Sequence, residues 1–445
     1  MTKNAIIIFT RIPVPGKTKT RLMPYFNGKQ CAALHYCFLK DFYASCIQTK
    51  ADLFVAYSGE ETVPPEFTDV FGNEVSYFAQ SGSGLGERMY HAFQTVFEKG
   101  YKKVLLVGAD IPELSSSHLL QAFQYLRTKE TVFGPAADGG YYLVGMKQAR
   151  WEVFEGQAFS HTQVLEETFR RLKRAGISTA TVGVLHDLDT KEDLRKYRTR
   201  MRKTRRLQQT HTGKFLQKNV RISVIVPIYN EETTIDSIQK QLLTYRTKCE
   251  IIFVDGGSTD KTLDMILPGF KVLHSKKGRA NQMNLGAEKS HGDILFFLHC
   301  DSELPEDFLA EIKQAAKDYS AGCFGIDLHS KAFFLWTCKV ISNHRVKDRK
   351  VMFGDQGIFI DRDLFFDIGM YPAIPIMEDY QLSLNLKERR IPLGMTKHRI
   401  YTSSRRFPEG TWAMLSVMWK MNRYRKYYRD GMDIEELARA YKDIR

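Results

Sequence analysis

The chain has no Cys-x-x-Cys pair and no apolar run approaching the ~18 residues of a membrane span. Its cysteines are few and scattered, at Cys31, Cys37, Cys46, Cys249, Cys300, Cys323 and Cys338, and their number is odd. That argues against a disulfide framework or a zinc site and fits a reducing compartment, so a cytoplasmic location is expected. The first apolar stretch, residues 5–9, is far too short for the core of a signal peptide and reads as a strand. No zinc finger or RNA-binding aromatic signature is present, so nucleic acid is not an expected partner. Acidic side chains are in deficit: 51 Asp and Glu face 65 Lys and Arg, a net charge of +14. A basic balance without a nucleic-acid module favours phosphorylated small molecules as ligands.

What is there is ordinary globular material, 43% hydrophobic and 26% charged over 445 residues, enough for two or three domains. Two stretches share one design. Lys103-Val104-Leu105-Leu106-Val107-Gly108-Ala109-Asp110-Ile111-Pro112 and Asp293-Ile294-Leu295-Phe296-Phe297-Leu298-His299-Cys300-Asp301-Ser302 each run an apolar strand into an aspartate. A short apolar run bounded by turn residues reads as a buried parallel strand. In open α/β sheets ligands bind beyond the carboxyl ends of such strands, and a carboxylate there suits a divalent cation carrying phosphates. Alternation of strands and helices in both halves predicts mostly parallel sheets in two tandem domains, 1–198 and 220–445. Between them, 199–219 is rich in Lys and Arg and is expected to be a basic linker; Thr190 can cap a helix starting at Lys191. From Thr411 onward the chain reads as helical, with Trp412, Leu415, Met418 and Trp419 able to share an apolar face. Packing on the domain core and peripheral membrane contact are both open for that helix.

The second half opens with Ser223-Val224-Ile225-Val226-Pro227-Ile228-Tyr229-Asn230-Glu231-Glu232, then reaches a strand ending in Asp255-Gly256-Gly257-Ser258. These residues resemble the family 2 glycosyltransferases, which have the GT-A fold. Gly278-Arg279-Ala280-Asn281-Gln282, His299-Cys300-Asp301, Gly354-Asp355-Gln356-Gly357, Met377-Glu378-Asp379 and Ser403-Ser404-Arg405-Arg406-Phe407 further resemble the arsenosugar-biosynthesis glycosyltransferase group. The resemblance implies a sugar-nucleotide pocket drawing on Pro227, Asn230, Glu231, Asp255, Gly256, Arg279, Gln282, Asp355, Gln356, Arg405 and Arg406. It implies Asp379, with Glu378 beside it, as the base for the acceptor hydroxyl, and Asp301 as the ligand of Mg2+ or Mn2+. The chemistry asks for these types: a metal and arginines neutralise a departing diphosphate, and a carboxylate takes the acceptor proton.

The first half carries Arg11-Ile12-Pro13-Val14-Pro15-Gly16-Lys17-Thr18-Lys19-Thr20-Arg21 between strand and helix. Backbone N–H groups and these cations favour phosphate, although P-loop spacing is absent. The loop, with Leu85-Gly86-Glu87-Arg88, Ala109-Asp110, Asp138-Gly139-Gly140 and Asp187-Leu188-Asp189-Thr190, resembles nucleotidyltransferase-like GT-A domains, including the "transferase 1" partner of the same arsenosugar-associated group. By that resemblance Asp110 holds a metal, Gly16, Lys17, Lys19 and Arg21 take phosphates, and Asp138, Gly139 and Gly140 line the base or sugar pocket. Gly84 and His161 depart from the group's pattern, at positions usually held by Asp and Thr. The expected fold is therefore two tandem GT-A-type, Rossmann-like α/β domains. The expected function is sugar transfer from a nucleotide-sugar donor to a small hydroxylated acceptor, the first domain either making the donor by nucleotidyl transfer or acting as a second glycosyltransferase. An inactive first domain, and a lipid phosphate acceptor at a membrane surface, are the alternatives; the oligomeric state is left open.

Overall fold

The computed structural model describes residues 3–23, 25–59, 62–63, 65–72, 74–159, 161–327, 333–402 and 411–442. The chain divides into two compact units, Met1–Leu216 and Gln217–Arg445.

The first unit is built on seven strands: β1 (Asn4–Arg11), β2 (Asp52–Ser58), β3 (Ser76–Ala79), β4 (Lys103–Gly108), β5 (Thr131–Pro135), β6 (Tyr141–Met146) and β7 (Thr179–Thr181). They lie in the order β3-β2-β1-β4-β6-β5-β7. Only β6 runs against its neighbours β4 and β5. The central strands are apolar on both faces because helices cover both. Ile6 and Ile8 enter one core cluster with Phe38 and Phe42, whereas Ala5 and Ile7 enter another with Met89 and Phe93. The long helix Gly28–Ile47 starts at a capping box in which Asn27 and Gln30 bond reciprocally at 2.9 and 3.0 Å.

The second unit has β8 (Ile222–Ile228), β9 (Glu250–Asp255), β10 (Lys271–His274), β11 (Ile294–Phe297), β12 (Ser302–Glu303), β13 (Ala321–Asp327), β14 (Ile358–Asp361) and β15 (Leu393–Thr402). Their order is β10-β9-β8-β11-β14-β13-β15-β12. Leaving aside the two-residue β12, this is the order of the first sheet, and β14 is the reversed strand in the same slot as β6. Both units are therefore GT-A-type, Rossmann-like sheets, mostly parallel, in tandem.

The stretch expected to be a basic linker is folded. Thr190 caps the helix Lys191–Lys203, accepting from the Asp193 N–H at 3.2 Å. The helices Arg205–Gln209 and His211–Lys218 follow. Met201, Leu207 and Leu216 are buried in the first unit's core. Asp41 accepts the N–H groups of His211 and Thr212 at 2.8 and 2.9 Å, capping the last of these helices. Arg198 and Arg200 bond to Tyr25 and Glu113, both at 2.6 Å. The dense Lys and Arg hide an apolar stripe, Leu194, Tyr197 and Met201, at helical spacing.

At the other end, the helix Thr411–Arg429 packs Tyr424, Tyr427 and Tyr428 against Val351, Met377, Tyr380 and Leu437. The side chains of Trp412, Leu415 and Met418 lie outside the described residues. No described helix is long and apolar enough to cross a membrane.

Candidate functional site

The topology brings the same three segments to one edge of each sheet. In the first unit β1 and β4 end side by side, so the basic loop after β1 meets Asp110 after β4. Because β6 is antiparallel to β4, the turn before it delivers Asp138 to that edge. A bridge between Ala136 and Leu185 adds Asp187. These residues line a cavity of about 970 Å³, together with Arg11, Lys17, Lys19, Arg21, Arg88, Lys196 and Arg200.

Lys19 organises this edge. It stands in the left-handed region, φ 51°, at the mouth of the turn Thr20–Leu22. Its buried ammonium lies 2.6 Å from Asp110 and 3.5 Å from Asp189, and donates to the Leu188 carbonyl at 2.8 Å. Arg21 pairs with Asp189 at 3.2 Å. Gly16, Gly139 and Gly140 shape loops and do not form the wall. Gly139 has φ +94°, and a Cβ there would sit 1.8 Å from the Thr162 carbonyl oxygen. The Gly140 N–H donates to Asp138 Oδ1 at 3.0 Å, fixing that carboxylate.

Charge is crowded here. Burial, Asp138 and Asp110 push the Asp187 carboxyl up to about 7. Burial works against the Asp110 charge too, but Lys19 and His35 outweigh it and hold that carboxyl at about 2. His35, buried beneath the cavity, is pushed down to about 4 and pairs with Thr10 Oγ1 at 3.1 Å. Asp138 and Asp110 drive the Asp187 carboxyl toward its neutral form, and a divalent cation bound there would relieve that repulsion. Asp187, Asp189 and His35 carried no assigned role in the sequence. Asp187 lies in a motif that carried the resemblance without a role, and what brings it to this edge is the pairing of Ala136 with Leu185. His161 stands apart, facing Glu167 at 3.5 Å.

In the second unit β9, β8 and β11 end in a row, placing Asp255, Asn230 and the 299–301 loop at one edge. Pro227 lies in β8 opposite Val254. Asn230, φ 53°, accepts the Thr259 N–H at 2.8 Å, and its own N–H donates to Ser258 Oγ at 3.0 Å. The Glu231 N–H donates to Thr262 at 2.7 Å. Asp255 is buried and gathers Gly257 N–H, Ser258 N–H and Ser258 Oγ at 2.9, 3.0 and 2.6 Å. Burial opposes its charge, yet those bonds and His274 hold its carboxyl below the usual range. Gln282 Nε2 donates to the carbonyls of Ile228 and Val254 at 2.7 and 2.8 Å, directly beneath Gly256. These bonds hold the loops in shape. Gln356, wholly buried, accepts from the Phe353 N–H at 3.1 Å within the turn Gly354–Gln356 that contains Asp355.

That turn precedes β14, and the antiparallel pairing of β14 with β11 sets it beside the 299–301 loop. Gly354 N–H donates to Asp379 Oδ2 at 2.8 Å, and a Cβ on Gly354 would lie 2.6 Å from His299 Nε2. Asp379 opens the helix Glu378–Glu388. Glu378, buried, faces Arg279 at 3.6 Å. Asp301, half-buried, has no hydrogen bond or ion pair among the described residues, so its carboxylate is open to a cation. Arg405 and Arg406 lie outside the described residues.

Residues 223–359 match a family described as glycosyl transferase family 2. The second unit is thus glycosyltransferase-like, with the GT-A fold. Residues 44–161 match a family described as an uncharacterized protein conserved in bacteria, DUF2064. The 2-phospho-L-lactate guanylyltransferase of Methanocaldococcus jannaschii is 25% identical over 187 residues, 41% of this chain and 79% of that one. The first unit is thus nucleotidyltransferase-like. The undecaprenyl-phosphate 4-deoxy-4-formamido-L-arabinose transferase of Pseudomonas aeruginosa is 23% identical over 154 residues; the match spans 31% of this chain and 45% of the relative. A solved protein of Desulfovibrio desulfuricans G20, provisionally assigned as a nucleotide-diphospho-sugar transferase, is 33% identical over 49% of this chain and 96% of its own, with a TM-score of 0.47.

Proposed function

We propose that the second unit moves a sugar from a nucleotide-sugar donor to a small hydroxylated acceptor, and that the first unit makes that donor by nucleotidyl transfer. The observation that carries the reading is the shared edge. Each unit sets an aspartate after its fourth strand, Asp110 or Asp301, against the loop before its reversed strand. In the second unit Asp379 is held by the Gly354 N–H with its carboxylate ready to take the acceptor proton. Arg279 adds positive charge for the leaving group, and Glu378 aims it. A divalent cation, Mg2+ or Mn2+, on Asp301 would neutralise the departing diphosphate. In the first unit Asp110, Asp138 and Asp187 are the group that would hold a cation, and Lys17, Lys19, Arg21 and Arg88 line the cavity for a triphosphate. That cationic lining favours an active first unit over an inert one. The likeness to paired arsenosugar-biosynthesis transferases supports placing both steps in one chain.

Two substitutions separate the steps. With the intact protein, nucleoside triphosphates and a panel of sugar phosphates, Asp110→Asn is expected to abolish pyrophosphate release while sugar transfer from supplied sugar nucleotides continues. Asp301→Asn is expected to do the reverse, with an unchanged melting temperature, because a half-exposed carboxylate at a strand end contributes little to a core. Wild-type transfer by Asp301→Asn would overturn the assignment.

A further inference from the structure

Beside Asp379 lies a pair of guanidiniums that the reaction so far does not use. Arg345, on the helix Phe333–Arg349, stacks over the Phe353 ring with its Cζ 4.0 Å from the centroid. Arg425, on the helix Thr411–Arg429, lies over the same ring at 5.1 Å. Phe353 in turn stacks on Tyr380, with 6.1 Å between centroids and 6° between planes, and its neighbour Gly354 holds Asp379. Two segments far apart in the chain thus deliver like charges to one ring, a single residue from the proposed base.

Their N–H groups are largely unspent. Arg345 makes no hydrogen bond or ion pair among the described residues, and its Nε is buried without a partner. Among the described residues Arg425 has one hydrogen bond, from Nε to the Met421 carbonyl of its own helix at 3.2 Å, which leaves both terminal nitrogens. A half-buried guanidinium with open donors is costly, and a like charge over the same ring adds to the cost. Burial and Arg425 lower the Arg345 pKa to about 10, and burial lowers that of Arg425 as well. Asp355 and Asp379 face Arg345 and only partly offset this. Planar guanidinium forks bind phosphate or carboxylate bidentately, and an aromatic ring beneath fixes the fork's plane.

Resting on the reading of Asp379 as the base of the second unit, we propose that Arg345 and Arg425, braced on Phe353, bind an anionic group of the acceptor, a phosphate or a carboxylate, and so present its hydroxyl to Asp379. The acceptor is then a charged molecule. A lipid headgroup and a soluble phosphate share this chemistry.

The test reads binding directly and needs no sugar transfer. The full chain is labelled with 15N-arginine. The Nε signals of Arg345 and Arg425 are assigned from the Arg345→Lys and Arg425→Lys variants. Inorganic phosphate, glyceric acid, and vesicles of phosphatidylcholine with or without phosphatidic acid are then added separately. Both signals are expected to shift together with phosphate or glycerate, and each Lys variant is expected to weaken that binding about tenfold, as befits loss of a charge-assisted bidentate contact. A shift with free anions marks a soluble acceptor, and a shift confined to the anionic vesicles marks a lipid one; either supports the site. If neither signal moves with any probe, the proposal is overturned. Failure of the intact protein to transfer sugar would sink the reading of Asp379 as the base and leave this readout standing. Transfer to an uncharged acceptor with both signals unmoved would sink the anionic acceptor alone.

Discussion

Asp379 is held at both oxygens, by the Gly354 N–H at 2.8 Å and the Tyr380 N–H at 2.7 Å. An asparagine is nearly isosteric and keeps one of these acceptors, but it takes no proton from an attacking hydroxyl. Asp379→Asn is therefore expected to bind the sugar nucleotide as before and to lose turnover by about 10²–10⁴-fold. Calorimetric donor binding set against single-turnover rates checks this. Affinity falling in step with rate would make Asp379 a binding residue. The placement of Asp301 and Asp379 in the fold was legible because each sits in a short motif that carries its own context: Asp301 follows an apolar strand, and Asp379 lies at the start of a helix. Asp187 and Arg345 were not. Asp187 owes its place to the pairing of Ala136 with Leu185, and Arg345 to a ring eight positions downstream that a second helix also reaches. Nothing local in either stretch signals such meetings. Arg279 and Gln282 show the converse. One sequence motif supplies both, yet Arg279 faces Glu378 while Gln282 ties two strand ends together.

Among the elements, β9 shows how one carboxylate at a strand start sews a sheet together. Glu250 accepts Ser223 Oγ from β8 at 2.5 Å and the His291 N–H at 2.7 Å, and faces Lys271 of β10 at 3.4 Å. Burial opposes its charge, but these partners prevail and hold its carboxyl below the ordinary value of 4.5. A depressed folded pKa means that the stabilisation is present above the ordinary value and is lost as pH falls through the folded one. Glu250→Gln is expected to cost about 1–3 kcal/mol at neutral pH, with the deficit shrinking below pH ~4.5. Hydrogen exchange at β8 and β9 across that range measures it, and a deficit independent of pH would refute the role. The strands were readable as apolar runs, and with them the α/β alternation. The reversal of β6 and β14 was not, because an antiparallel strand buried on both faces has the same composition as a parallel one. The helices after Lys203 were misread for a different reason. Their cations dominate the local composition, while the few residues that bury them, Leu207 and Leu216, look incidental without the core they enter.

For the whole molecule, that misreading moves the place where the chain can be divided. Both units repeat one strand order, and each carries apolar clusters on both faces of its own sheet. Each should fold alone if its own elements are complete. A cut at Thr204, inside the presumed linker, would strip Leu207 and Leu216 from the first core. It would also leave the buried Asp41 carboxylate without the His211 and Thr212 N–H groups. Burial already raises the Asp41 pKa, so an uncapped charge there is costly, about 3–5 kcal/mol for a buried charge losing its partner. Set against a typical domain stability of about 5–15 kcal/mol, that loss plus two exposed leucines is enough to unfold the fragment. Residues 1–204 are accordingly expected to be insoluble or to melt without cooperativity. Residues 1–218 and 219–445 are each expected to give a soluble protein with one cooperative transition. Thermal melts of the three fragments decide the point. A cooperative melt of 1–204 matching that of 1–218 would show that the helices 205–218 add nothing to the first unit.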